Sequence, residues 1–224
     1  MRLIGAGVLV VAGYALFRFA IFPSSESLSA EQLASLQTLE PRLPELVISQ
    51  ADAATVAGDV RKCTGESPAA PPPADPAQSK RADSAWCAAS GAFVMSTVAL
   101  PAKSSDSNVA REAELHASPA GQAQSIAENI STQLTMLEGS AQFVDLQGIG
   151  AYSHALKVRG QYPGRAQVFE YFNIHFVENF VDVDVTLALP GAPNNDASAA
   201  VIAQTLYNRV GQALAEQAIP TITP

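Results

Sequence analysis

Cysteine occurs only twice in this 224-residue chain, tryptophan once and histidine three times, and charged residues make up just 15% of it. Two cysteines can neither frame a disulfide-packed miniprotein nor supply a four-thiolate zinc site. The histidines, His116, His154 and His175, are scattered and show no ligand spacing. Also missing are the G-x-S-x-G elbow, S-x-x-K, H-E-x-x-H, a phosphate loop and C-x-x-C, so no motif announces a reaction, a cofactor or a metal. Gly148-Ile149-Gly150 lacks the third glycine of a dinucleotide loop and reads as a turn. Bases are scarce beside acids, 13 Lys plus Arg against 21 Asp plus Glu for a net charge of −8. That balance removes the basic surface a phosphate backbone demands, and no nucleic-acid partner is expected. Enough apolar residues remain, 48%, to build a core, which excludes a disordered tail.

The longest apolar stretch, LIGAGVLVVAGYALFRFAIF from Leu3 to Phe22, is twenty residues with Arg18 as its only charge. As a helix it spans a bilayer. The rival is a cleavable signal peptide, whose apolar stretch is shorter and ends in small residues; here the exit reads Phe-Pro-Ser-Ser-Glu-Ser, and no Cys follows to take lipid. The reading adopted is a single-pass anchor over residues 1–23. Arg2 and the terminal amine lean toward a cytoplasmic N-terminus, placing the rest of the chain in the periplasm or extracellular space beyond an inner membrane. Within the run Ala6, Gly13 and Ala20 recur every seven residues on one side of a helix, where small side chains admit a partner helix. The plain alternative is that such anchors simply contain Ala and Gly. Arg18 lies a turn from the end and can snorkel to headgroups or meet an acidic group on a partner.

Removing Arg2 and Arg18 leaves eleven bases against the 21 acids, so the exported part carries −10. Residues 24–44 read as a stalk, with SAEQLASLQTL a short helical pattern broken by Pro41 and Pro44. A domain follows over 45–224. Ser49 caps a helix through QADAATVAG ending near Gly58. Residues 64–84, Pro, Ala and Ser rich, form a solvated loop between Cys63 and Cys87. An oxidising compartment would join those cysteines in a bridge worth roughly 3 kcal/mol by chain entropy; the alternative is two unrelated buried thiols. Trp86 to Leu100 reads as one strand. Ser118 and Gly139 bound an amphipathic helix, Tyr152 to Arg159 is a strand after the Gly148 turn, and a last helix starts at Asn195 or Asp196 with a Val201, Leu206, Val210, Ala213, Leu214 stripe.

The segment QVFEYFNIHFVENFVDVDVTLAL, from Gln167 to Leu189, alternates as a hairpin. A turn at Glu178-Asn179 would set Phe176 opposite Val181, Ile174 opposite Val183 and Phe172 opposite Val185, an apolar face broken only by Glu170. The other face would set His175 opposite Asp182 and Asn173 opposite Asp184. A histidine beside a carboxylate makes a pH-responsive or general-base pair, or merely a cross-strand surface pair. Phe169, Tyr171, His175, Phe180, Asp182 and Asp184 share this second face, whose mixture of rings and polar groups suits an interaction platform if uncovered and ordinary core if covered. The fold class expected is α+β: a transmembrane helix, then an antiparallel sheet with helices on one face, a two-layer sandwich.

The helix LVISQADAATVAG, the Cys pair with Trp86 beside Cys87, the GIGAY turn, the hairpin and the Ala-rich last helix together resemble bacterial extracytoplasmic sensor-like domains, of the kind attached to receptor kinases and envelope lipoproteins, over residues 45–218. The resemblance implies an α+β domain that binds a ligand. The lipidation Cys and the kinase are missing, so it carries over neither signalling output nor site residues. The expectation is therefore a non-enzymatic interaction protein with lipid and a membrane-protein partner, an accessory subunit of an envelope complex; a ligand-binding sensor-like module is the alternative. An envelope hydrolase, using His175, Asp182 and the hydroxyl of Tyr171 or Thr186, ranks below both.

Overall fold

The computed structural model describes residues 28–64, 79–101, 135–137, 141–149, 153–161, 166–191 and 195–217. The apolar run Leu3–Phe22, with Ala6, Gly13, Ala20 and Arg18, lies outside them, and no helix among the described residues is long and apolar enough to cross a membrane. What is described is α+β, an antiparallel sheet with helices against it.

Among the described residues four helices flank the strands: α1 (Ala30–Gln37), α2 (Leu43–Leu46), α3 (Gln50–Ala57) and α4 (Asn195–Glu216), with a 3-10 turn at Glu40–Arg42. Both α1 and α3 open on a capping box. Ser29 and Gln32 exchange bonds of 2.8 and 3.1 Å, and Ser49 and Asp52 do the same at 2.8 and 3.2 Å. Each box satisfies two amide groups that a helix start leaves bare. Gly58 ends α3 at a φ of 78°, a conformation open to glycine at no steric cost. Pro41 and Pro44 sit in the first turns of the 3-10 segment and α2, where a missing N–H costs nothing.

Eight strands among the described residues fill seven positions. They are β1 (Val60–Lys62), β2 (Ser79–Ala88), β3 (Phe93–Pro101), β4 (Thr135–Met136), β5 (Gln142–Val144), β6 (Ser153–Gln161), β7 (Val168–Glu178) and β8 (Val181–Pro190). The order is β1-β2-β3-β8-β7-β6, with β4 and β5 sharing the outer edge of β6, and every pairing is antiparallel. One face carries Val94 and Val98 of β3, Val183, Val185 and Leu187 of β8, and Phe172, Ile174 and Phe176 of β7, all buried against Ile202, Leu206 and Val210 of α4 and the leucines of the N-terminal helices. A smaller cluster occupies the opposite face: Phe93, Leu156, Val158, Phe169, Tyr171 and Ala188.

Several boundaries differ from the sequence reading. The segment 24–44 is no stalk from Leu28 on, because Leu28, Leu36, Leu39 and Leu43 are core, so the packed unit starts well before residue 45. The loop assigned to 64–84 ends earlier, since Ser79–Ser84 are strand, paired to Pro101–Ser96. Trp86–Leu100 is two strands rather than one. The chain reverses at Ala88–Ala92, where Gly91 takes a φ of 89°, and the small residues Ala-Ala-Ser-Gly leave nothing to oppose the turn. Thr135–Met136, placed in a helix by periodicity, pair with Gln161 and Gly160 on the open edge of β6; residues 118–134 lie outside the description. In α4 Val201 is 53% exposed and Ile202 takes the inward position, because a stripe through Ala199, Ala203, Leu206 and Val210 leaves 201 on the outer side.

The hairpin is present with another turn. Asn179 and Phe180 hold φ of 47° and 66°, the pair of positive values a two-residue primed turn needs, and Phe180 packs on the main core. Phe176 therefore faces Val183, Ile174 faces Val185 and Phe172 faces Leu187. Each partner moves by two residues from the expected one, so every paired side chain keeps its face, and Phe180 alone leaves the face expected for it.

Candidate functional site

Of the two alternatives left open for the second face of the hairpin, platform or core, Phe169, Tyr171 and His175 take the second. Phe169 and His175 are 0% and Tyr171 is 1% exposed, Tyr171 lying edge-on to Phe93 with ring centroids 5.7 Å apart. Asn173, Val177, Asp182, Asp184 and Thr186 on the same face are half-buried, and Phe180, expected there, packs on the main core instead. Burial follows from composition, since three large side chains on one face of adjacent strands shed more water-exposed area than a solvated sheet tolerates.

His175 and Asp182 do meet. Asp184, not Asp182, stands directly across from His175 in the ladder, yet His175 Nε2 reaches diagonally to Asp182 Oδ1 at 2.7 Å. Donor atoms of His175, Asp182 and Asp184 all lie within 4.8 Å of one another. The register extends this cluster into a transverse row over five adjoining strands: Asp83, Thr97, Asp184, His175 and His154. Within it Thr97 Oγ1 donates to Asp83 Oδ1 at 2.7 Å. The hydroxyls considered for a hydrolase sit in other rows, Thr186 opposite Asn173 and Tyr171 opposite Ala188.

A second feature lies at the other end of the sheet. A pocket of about 430 Å³ opens between the α2–α3 connection and β2, lined by Glu45, Val47, Ile48, Lys62, Asp83, Ser84, Trp86 and Arg209 among others. Its walls are fixed by side-chain hydrogen bonds. Ile48 N–H donates to Ser96 Oγ at 2.8 Å, Trp86 Nε1 donates to Ile48 O at 2.8 Å, and Ser84 and Ser96 hydroxyls pair at 3.0 Å. Arg209, from α4, donates to Val47 O at 2.7 Å and to Asp52 Oδ2 at 2.8 Å. Burial would raise the Asp52 carboxyl, but bonds from Ser49 and Arg209 outweigh it and hold it below the ordinary carboxylate value. Lys62 ends β1 opposite Trp86 and projects an exposed ammonium at the rim.

Cys63 and Cys87 form the expected disulfide, with Cα atoms 5.1 Å apart. Together with the bond from Cys63 N–H to Ala85 O at 3.0 Å it holds the three-residue β1, and with it Lys62, against β2.

Glu170, the misfit of the apolar face, is explained by partners on α4 and β6. Its carboxylate accepts from Asn195 Nδ2 at 2.9 Å and lies 3.3 Å from Lys157 Nζ, which in turn reaches Asp196 Oδ1 at 2.7 Å. Sequence reasoning missed Arg209, Lys62, Ser96 and the Lys157 cluster. An arginine interrupting the terminal apolar helix, and the opposite charges of Lys157 and Glu170 on neighbouring core-facing strands, were the available signals. No protein-family model matches this chain, and no curated protein matches it.

Proposed function

We propose that this chain works by binding rather than by catalysis: an extracytoplasmic α+β domain, tethered to the inner membrane by the helix read over residues 1–23, that takes a small ligand in the pocket beside Trp86. The observation carrying this reading is the pocket itself. Its volume of about 430 Å³ lies within the range of small-molecule sites, and it combines the Trp86 ring and Val47 with the cations Lys62 and Arg209 at its edge. Glu45 and Asp83 line it too and Arg209 is engaged by Asp52, so an anionic group on a flat apolar body would meet Lys62. The resemblance to sensor-like domains points the same way.

Trp86 is the only tryptophan, so its fluorescence reports on the pocket alone. Titration with the probe 1-anilinonaphthalene-8-sulfonate is expected to quench it saturably, and Lys62→Gln to weaken that binding about tenfold, the worth of one charge-assisted contact. Quenching that rises without saturation, or an unchanged constant in Lys62→Gln, overturns the reading.

A second reading is an accessory subunit of an envelope membrane complex, favoured by Ala6, Gly13 and Ala20 on one side of the anchor, by Arg18, and by the −10 charge beyond it. On this reading extraction in mild detergent yields a complex larger than one chain and its micelle; a free monomer on size analysis argues against it.

A further inference from the structure

We propose that His175, Asp182 and Asp184 form a site for a divalent transition-metal cation of the zinc type. The cluster is not a chance gathering of surface acids. Its imidazole is 0% exposed and the Asp182 side chain is 12% exposed. All three residues stand on β7 and β8, which are paired from Phe169–Pro190 to Glu178–Val181, so their Cα positions are fixed by an unbroken ladder. Zinc binds imidazole nitrogen and carboxylate oxygen at about 2.0 to 2.2 Å, which places neighbouring ligand atoms roughly 3 to 3.5 Å apart. His175 Nε2 and Asp182 Oδ1 are already 2.7 Å apart, and the farthest pair of the three is within 4.8 Å. Rotation of the two Asp side chains has to open the first of these pairs and draw in the farthest to reach that spacing, with the backbone ladder held as it is.

Charge supports the same ion. One dipositive cation neutralises two carboxylates and takes the lone pair of a neutral imidazole, leaving a site with no net charge in a half-buried position. Magnesium and calcium prefer oxygen sets, so the nitrogen of a buried histidine selects against them. Three protein ligands leave a fourth position for water or another side chain. The site lies on the opposite face of the sheet from the core helices and does not depend on the Trp86 pocket.

The test uses the untagged full chain in mild detergent, stripped with EDTA and titrated calorimetrically with zinc chloride. Binding of one zinc per chain is expected, with magnesium chloride failing to compete. Asp184→Asn, which is isosteric and only half-buried, is expected to weaken zinc at least tenfold, and Asp59→Asn, an exposed acid elsewhere, to leave it unchanged. His175→Gln is expected to abolish binding; Asp184→Asn decides the matter if that buried substitution does not fold. No saturable heat, or equal affinity in wild type and Asp184→Asn, overturns the proposal.

Discussion

Replacing Lys157 by Met is expected to cost about 3 kcal/mol of stability, measured by urea unfolding, while the double replacement Lys157→Met with Glu170→Leu recovers to within about 1 kcal/mol of the parent. Both side chains are 11% exposed, on the face that meets α4. Removing the ammonium alone leaves the Glu170 carboxylate nearly buried, with Asn195 at 2.9 Å and Arg159 at 3.9 Å as its remaining help. Losing one partner of such a pair costs about 3 to 5 kcal/mol; those two contacts put this case at the low end. Replacing both charges removes the desolvation penalty together with the attraction, so an apolar pair beside Phe172 and Leu189 restores packing. Additive losses in the double variant would show that the two charges act independently. The sign of the pH dependence follows. Burial lowers the Lys157 ammonium, but the bond to Asp196 and the Glu170 charge outweigh it and hold it above its ordinary 10.5. A raised lysine contributes stability that is complete below 10.5 and fades as pH climbs through the folded value, so on the alkaline side the gap between parent and Lys157→Met narrows above 10.5.

Removal of the disulfide is the second large effect. Cys63→Ala with Cys87→Ala, or reduction of the parent, is expected to lower stability by roughly 3 kcal/mol, the chain-entropy worth of a loop of this length. The bridge spans a sequence separation of 24, and the only strand it secures, β1, is three residues long. Without it β1 keeps its three register pairs to β2, the Gln50 bond to Val60 O and the buried Val60 side chain, while its Lys62–Cys63 end loses its covalent tie. Lys62 would then leave the rim of the pocket, so the same variant should also loosen binding of the fluorescent anion. Equal urea midpoints for the oxidised and reduced chain would show that β1 docks without help from the bridge.

Particular residues show how much of this was legible. The capping signature at Ser49, the stop at Gly58 and the start of α4 at Asn195 are local features, and each occurs where side-chain chemistry puts it. Facial alternation in the hairpin was equally plain, but alternation has a period of two and is blind to a shift of two. The turn decided the register, and Asn179 tolerates positive φ where Glu178 does not. Reading Trp86–Leu100 as one strand failed for a related reason: a tight reversal through Ala-Ala-Ser-Gly carries little polar punctuation. The His175–Asp182 contact was anticipated as a direct pair and arises instead on the diagonal. The pocket was invisible because its walls come from residues 44–49, β1, β2 and α4, brought together only by the fold.

The strand order has a kinetic side. β3 sits in the middle of the sheet, yet the neighbour on its far side is β8, with Val94 against Leu187. As the chain is made from its N-terminus, the β2–β3 pair must wait with one apolar edge unsatisfied until almost the whole sequence exists. Closure of the core is therefore a late, long-range event, which slows folding and exposes an edge to intermolecular pairing meanwhile. The polar residues of β3 and β8, Thr97 and Asp184 among them, lie along that waiting seam and make it a poorer template for the wrong strand.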